Sequence, residues 1–233
     1  MKFKNILTSC SAGVLIIMLA LCTFTAFDSA AAFITAWPAR KQLVNWQEKQ
    51  RQLEHAQWET IRAQLDQALQ YSPDNPELLR DLGLAHEAEY ILYSAADPSA
   101  RSAWEKAGQY YQLAILLRPS WPYDRMDLAQ VTYRLDETDS KVYSLVKQTA
   151  ELGAWEPRVQ QVVAEIGLRQ WDNLPDDIRE LTAESIHNGI QLFDNTEGML
   201  RLLRRYNKLS LVCGQQYENE QVVKFCKRYL KEQ

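Results

Sequence analysis

The sequence predicts an all-α protein: a tetratricopeptide-like right-handed stack of helical hairpins, preceded by one transmembrane helix and a helical stalk. Small residues and prolines recur at matching offsets, with Ala68 five residues before Pro73 and Ala114 five residues before Pro119. A small residue lets the helices of a hairpin approach closely, and the Pro ends the second helix. No segment alternates apolar and polar residues with β-branched enrichment, as a half-buried strand would.

Composition bounds the class of protein. The chain has 233 residues, of which 46% are hydrophobic and 24% charged, and this is enough for one sizeable core. The net charge of −4 leaves no basic footprint for nucleic acid. Gly-rich phosphate loops, metal-ligand spacings and nucleophile–base constellations are also missing from the sequence. We therefore expect no cofactor, no metal, no nucleic-acid partner and no catalytic residue.

The N-terminal segment predicts a membrane anchor over residues 1–28. Lys2 and Lys4 precede an uncharged run from Asn5 to Phe27, which as a helix is about 34 Å long and exceeds a bilayer core of about 30 Å. Since the cations lie on the N-terminal side, we expect the N-terminus in the cytoplasm and the body in the periplasm. The expected location is the inner membrane, with a single pass.

A cleaved signal peptide is the alternative to an anchor. Ala30-Ala31-Ala32 fits the small-residue pattern of a cleavage site. The apolar run is longer than the usual core of a signal peptide, and this favours the uncleaved anchor. The body of the protein is exported under either interpretation.

The segment after the anchor predicts a stalk over residues 29–56. Pro38 is expected to end the apolar stretch, and residues 40–71 are expected to form one long helix. The run from Gln47 to Gln52 is wholly polar, which is typical of a solvated helix. We then expect the helical repeat domain at residues 57–195 and a C-terminal helical hairpin at residues 196–233.

The repeat domain is predicted helix by helix. Its expected helices and hairpins run over residues 77–95, 103–117, 123–152 and 157 to about 193. The C-terminal hairpin is expected to contain helices at residues 197–212 and 218–230. Three or more such hairpins bury a continuous core.

Cys213 and Cys226 lie in the C-terminal hairpin. Outside the cytoplasm such a pair oxidises, so we expect a disulfide that clamps the last two helices. The alternative is two buried free thiols. A bridge needs a longer turn through residues 214–217, because a second helix starting at residue 218 places Cys226 two turns from the corner.

Two Pro-fixed corners carry the candidate site residues. Pro fixes its own φ and pushes the preceding residue toward extended geometry, so residues 118–124 and 152–157 are rigid helix-to-helix corners. Their aromatic and acidic residues could fill space in a packed corner or could form a stacking platform with hydroxyl acceptors for a sugar. The candidate residues, with one further aromatic, are Trp121, Tyr123, Asp124, Trp155, Glu156 and Trp171.

An enzymatic alternative uses two of these residues. Asp124 and Glu156 could serve as the acid and base of a small periplasmic polysaccharide hydrolase or lyase, which requires carboxylates roughly 5–10 Å apart. Nothing in the sequence sets that distance. Two accessible carboxylates in one aromatic cleft would favour this alternative over a binding module.

The motifs together resemble a known family. Tyr71-Ser72-Pro73, Arg118-Pro119-Ser120-Trp121-Pro122-Tyr123, Leu152-Gly153-Ala154-Trp155-Glu156-Pro157 and Gly167-Leu168 followed by Trp171 are similar to the VpsP family of bacterial exopolysaccharide biosynthesis proteins. The resemblance implies a membrane-anchored accessory protein of polysaccharide polymerisation and export, with no established enzymatic activity. The expected function is therefore a scaffold in exopolysaccharide and biofilm production. Its expected partners are polymerase or export components, or the polysaccharide itself.

Overall fold

A computed structural model describes the chain at residues 2–49, 54–93, 97–136, 140–191, 193–214, 219–229 and 231. Side chains are described for these residues except 2–12, 14, 48, 49, 193 and 194. The chain divides into two compact units, Met1–Ala103 and Trp104–Gln233, and each is described by itself.

The regular structure in the described residues is helical throughout, which confirms the all-α prediction. One 3-10 helix, Trp171–Asn173, follows α7. The α-helices are α1 (Lys2–Lys49), α2 (His55–Tyr71), α3 (Pro76–Tyr90), α4 (Pro98–Leu117), α5 (Pro122–Leu135), α6 (Ser140–Leu152), α7 (Pro157–Arg169), α8 (Asp176–Gln191), α9 (Phe193–Arg205), α10 (Ser210–Cys213) and α11 (Glu220–Tyr229).

Helix α1 passes through Pro38 instead of ending there. The prediction of one helix over residues 40–71 is also wrong. Helix α1 ends at Lys49, and α2 begins directly after its N-cap residue, Glu54. The backbone N–H of Glu54 donates to Gln57 Oε1 at 3.2 Å. That bond belongs to a capping box, which favours a helix start at this point.

The second half of α1 is packed helix and not a solvated stalk. Ala32, Ala36, Ala39 and Leu43 share one face and are buried, and α1 contacts both α2 and α3. This packing offsets the backbone hydrogen bond lost at Pro38. This part of the expected stalk therefore packs against its own unit. The side chains of residues 48–52, in the run expected to be solvated, lie outside the described residues.

An ion pair reinforces the contact between α1 and α3. Arg40 Nε donates to the carboxylate of Asp81, which is itself nearly buried. Burial raises the pKa of Asp81, and the adjacent Arg40 opposes that shift. The pair restricts the rotation of α1 about its axis, because Arg40 must reach α3 while the small residues of α1 stay buried.

The core of the first unit also contains the predicted helix-packing histidine. His86 is buried, with its ring edge toward Trp58 at 6.1 Å between centroids and its Nδ1 2.6 Å from Glu89. The indole N–H of Trp58 donates to Ala85 O at 2.9 Å. Helix α3 ends at Tyr90, short of the predicted residue 95.

The second unit contains the helical hairpins. Each of α5 and α7 packs against the next helix and against the next but one, and α6 does so with α7 and α8. This neighbour pattern is typical of stacked helical hairpins. Helices α7 and α8 approach closely at Gly167, where a Cβ atom would lie only 2.2 Å from Thr182 Oγ1.

The C-terminal helices differ from the prediction. The helix expected over residues 197–212 is broken, because Asn207 adopts φ 54° and turns the chain between α9 and α10. Asn tolerates this left-handed conformation better than most residues. The short helix α10 then places Cys213 beside α11, and a disulfide joins Cys213 to Cys226 with their Cα atoms 5.2 Å apart.

One part of α1 is long and apolar enough to cross a membrane by length and composition. It runs from Leu15 to Gln47 within the described residues. Large apolar side chains are exposed along it, among them Leu15, Ile16, Ile17, Met18, Leu19, Leu21, Phe24 and Phe27.

Candidate binding surface at two helix corners

The first corner, residues 118–124, is held by a two-point ion pair. Arg118 Nε donates to Asp124 Oδ2 at 2.6 Å, and Arg118 Nη2 donates to Asp124 Oδ1 at 2.7 Å. The Asp124 side chain is 0% exposed. Two parallel bonds between a guanidinium and a carboxylate fix geometry as well as charge. The residue before Pro119 is thereby tied to the first turn of α5.

The first corner presents Trp121 to solvent. Trp121 is 43% exposed and occupies the N-cap position of α5, directly before Pro122 at the first helical position. The ring centroid of Tyr123 lies 5.5 Å from that of Trp121, and the Arg118 guanidinium lies 5.3 Å from the indole centroid. Trp121 is therefore fixed on one side by a tyrosine and on another by a cation.

The second corner, residues 152–157, is held from inside by Gln160. Gln160 is buried, and its Nε2 donates to Gly153 O at 2.9 Å and to Ala154 O at 2.8 Å. Any side chain at Gly153 would collide with Val159, whose side-chain atoms lie 2.8–3.0 Å from the position that a Cβ would take. The corner leaves Trp155 64% exposed.

One hydrogen bond links the two corners. The hydroxyl of Tyr123 donates to Glu156 Oε2 at 2.6 Å, across 33 positions of sequence. This bond brings Trp121, Tyr123 and Glu156 together and places Trp155 next to them along the chain. We name the set Arg118, Trp121, Tyr123, Trp155 and Glu156 the two-corner surface.

The structure separates the site residues that the sequence grouped. Trp121 and Trp155 are both exposed, so neither side chain fills the interior of its corner. Asp124 belongs to the interior, where its carboxylate is bonded by Arg118. Asp124 and Glu156 thus do not form a pair of accessible carboxylates, and the arrangement required of a glycosidase acid and base is not built.

Two residues that hold the corners in place were not predicted from the sequence. Arg118 lies six residues before Asp124, and this spacing across a Pro-rich corner is a weak but readable sign of an ion pair. Gln160 lies inside α7, and no sequence signal marks it as the residue that bonds the carbonyls of the preceding corner.

Trp171 occupies a different environment from the corner tryptophans. It is partly buried against the core of the second unit, while Asp172 beside it pairs with Lys208 at 2.8 Å. Trp171 also lines a groove of about 350 Å³ between the 3-10 helix, α8 and α10. The other lining residues are Asp176, Arg179, Glu180, Ala183, Ile186, His187 and Leu211.

The described residues contain no group of three or more His, Cys, Asp and Glu side chains that could hold a metal ion.

The exposed aromatic and polar groups of the two-corner surface suit noncovalent recognition. Tyr and Trp offer large contact area with few rotatable bonds, and Glu156 offers an acceptor.

Comparisons with known proteins found similar solved structures but no sequence family. No protein-family model matches the chain, and no curated protein matches it. Among solved structures, a thermophilic TPR protein of Thermus thermophilus is similar, with a TM-score of 0.42 and 15% sequence identity. That match covers 76% of this chain and 97% of the other.

Proposed function

We propose that the protein is a membrane-anchored periplasmic accessory or scaffold protein for exopolysaccharide biosynthesis, polymerisation or export. It acts by binding a partner protein through the two-corner surface. The observation that carries the proposal is the exposure of Trp121 and Trp155 on two corners that are rigid and hydrogen-bonded to each other. Exposed aromatic residues grouped in this way are uncommon on a surface that contacts only water.

The composition of the two-corner surface fits protein recognition. Trp, Tyr and Arg are the residues most enriched among those that dominate binding energy at interfaces. Arg118 and Gln160 already hold the corners in place, so little conformational freedom remains to be lost on binding. A pre-organised aromatic patch is therefore an efficient anchor for a partner segment.

Three observations support the proposed cellular setting. The charge asymmetry around the apolar half of α1 favours a cytoplasmic N-terminus and a periplasmic body. A disulfide between Cys213 and Cys226 is in keeping with an oxidising compartment. The resemblance of the corner motifs to the VpsP family supports the link to exopolysaccharide. The expected partners are inner-membrane polymerase or export components.

The experiment is a deletion followed by complementation, with secreted exopolysaccharide as the readout. Loss of the protein should reduce or abolish the polymer, and the full-length chain should restore it. A body released into the periplasm by a cleavable signal peptide in place of residues 1–32 should restore less, because a scaffold depends on its tether. Full restoration by the released body would contradict the anchored scaffold.

A polysaccharide ligand is the second candidate for the same surface. Trp121 beside Tyr123 and Glu156 provides a stacking face next to a hydroxyl acceptor, which suits a sugar ring. Purified protein titrated with the cell's own exopolysaccharide tests this candidate by quenching of tryptophan fluorescence. Quenching in the full-length protein that disappears in Trp121→Ala would favour sugar over a partner protein.

A further inference from the structure

The second half of α1 presents an exposed apolar face that no helix of its unit covers among the described residues. Phe33, Ile34 and Trp37 are 52%, 70% and 57% exposed, and the rings of Phe33 and Trp37 lie 5.6 Å apart. We name these three residues the α1 outer face. It is a contiguous apolar patch of the kind that marks a contact with lipid or protein.

The direction of the α1 outer face is fixed. Ala32, Ala36, Ala39 and Leu43 lie on the opposite side of the helix and are buried in the first unit. Arg40 is held by Asp81 on α3. Helix α1 therefore cannot rotate to bury its outer face against its own unit without breaking this packing.

The α1 outer face is continuous with the membrane-spanning segment. Helix α1 is uninterrupted from Lys2 to Lys49, and residues 29–39 carry no charge. Ile34 lies about 10 Å beyond Phe27 along the axis, and Trp37 about 15 Å. The polar zone on each side of a bilayer core is about 5–8 Å thick. A shift of the helix by about one turn, or about 5 Å, leaves Ile34 about 5 Å beyond the core and within this zone. It leaves Trp37 about 10 Å beyond the core, just outside the zone, and the Cα–Cβ bond of a helical residue is tilted back toward the helix N-terminus and therefore toward the bilayer.

Such a shift has a cost at the outer end of the span. Asp28 moves to just inside the boundary, where an ionised residue costs less than the roughly 2.5–3.5 kcal/mol of the bilayer centre.

We infer that the α1 outer face lies in the headgroup region of the bilayer, so that the first unit rests directly on the membrane surface. The occupant of this face is lipid. Trp favours this zone because its ring is apolar but carries a polar N–H. The inference rests on the proposed membrane anchor and adds a membrane-contact surface in place of a solvated stalk.

The test uses the full-length protein in lipid nanodiscs, with Cys10→Ser and Cys22→Ser as background. Single nitroxide labels are placed at Ile34→Cys and Trp37→Cys. Two reference labels are placed at Phe24→Cys, inside the span near its outer end, and at Glu59→Cys, which is exposed on α2. The measured quantity is a ratio for each nitroxide label. It compares the relaxation of the label by oxygen, which concentrates in lipid, with its relaxation by a water-soluble nickel chelate.

The expected ratio is highest at Phe24. At Ile34 the ratio should be several-fold lower than at Phe24 but still clearly above that at Glu59. At Trp37 it should lie between the values at Ile34 and Glu59. A ratio at Ile34 and Trp37 equal to that of Glu59 would overturn the inference while the anchor stands, provided that Phe24 remains lipid-like. Exclusion of both reagents at Ile34 and Trp37 would also overturn it, because a second copy of the chain would then cover the face. A water-like ratio at Phe24 would remove the anchor and the inference together.

Discussion

Two acidic residues on neighbouring corners have opposite environments, and this difference decides what the corners can do. Asp124 is buried and bonded at two points to Arg118, whereas Glu156 is exposed and accepts a bond from Tyr123. The first carboxylate stabilises the fold, and the second is available at the surface. Their sequence contexts are alike, since each lies close to a Trp and a Pro.

Asp124→Asn should therefore act on stability. The substitution removes the negative charge that faces the largely buried guanidinium of Arg118, and breaking such a pair costs about 3–5 kcal/mol. We expect a value near the lower end, because Arg118 keeps some contact with solvent. Urea unfolding of the purified protein measures it.

Glu156→Gln is the matched control for that substitution. Its carboxylate is exposed, and surface changes of this kind stay within about 0.5 kcal/mol. If Asp124→Asn were as stable as Glu156→Gln, the structural role assigned to Asp124 would be wrong. If Glu156→Gln alone abolished polymer production in cells at unchanged stability, Glu156 would have a role beyond the hydrogen bond to Tyr123.

The positions of the two corners could be predicted from the sequence, but the exposure of their side chains could not. Prolines define the corners by local geometry alone, and the Trp and Glu positions follow from that. Exposure depends on which neighbouring helix covers each side chain. Trp121 and Trp155 lie on the uncovered side, while Trp104 in α4 is buried beneath Arg134.

At the scale of helices, the small residues set how closely neighbours pack. Gly167→Ala in α7 should destabilise the second unit by about 1–3 kcal/mol. The added Cβ would overlap Thr182, and Thr182 cannot move freely because its hydroxyl donates to Ile178 O at 2.7 Å. Thermal or urea unfolding followed by circular dichroism measures the change.

Gly108→Ala in α4 is the matched control. A Cβ at Gly108 meets Val131 and Leu128 at 3.5 and 3.7 Å, which is ordinary contact. Because Ala is a better helix former than Gly, this substitution should stabilise by about 0.5–1 kcal/mol. Equal effects of the two substitutions would contradict the close approach of α7 and α8.

The disulfide belongs to the same scale, since it joins α10 to α11. Mass measurement after thiol alkylation should find Cys213 and Cys226 both blocked in the unreduced protein and both alkylated after reduction. Replacement of both by Ala should cost about 3 kcal/mol, given a sequence separation of 13. Two freely alkylated thiols before reduction would show that the pair is not bridged in the cell.

The existence of the helices was predictable, but several of their ends and breaks were not. Pro at the first turn predicted the starts of α5 and α7 to within one residue, at positions 123 and 157. Pro38 was misjudged because tertiary packing of Ala36 and Ala39 holds α1 together across it. The break at Asn207 was missed because a single left-handed residue inside an apolar pattern leaves no periodic signal.

At the scale of the whole molecule, the proposed role is binding by a body attached to a membrane helix. The first unit is built directly onto α1 through Ala32, Ala36, Ala39 and Leu43. The second unit presents the two-corner surface. The resemblance of the corner motifs led to the exopolysaccharide hypothesis, and the geometry adds which side chains a partner can reach.

The most direct measurement combines Trp121→Ala and Trp155→Ala in the full-length protein and compares secreted exopolysaccharide at equal protein abundance. Both side chains are exposed, so we expect a melting temperature close to that of the parent and a large loss of polymer. Gln160→Leu, which removes the bonds that hold the second corner, should lower both quantities. A double Trp variant that makes normal amounts of polymer, or one that unfolds, would contradict the binding role of the two-corner surface.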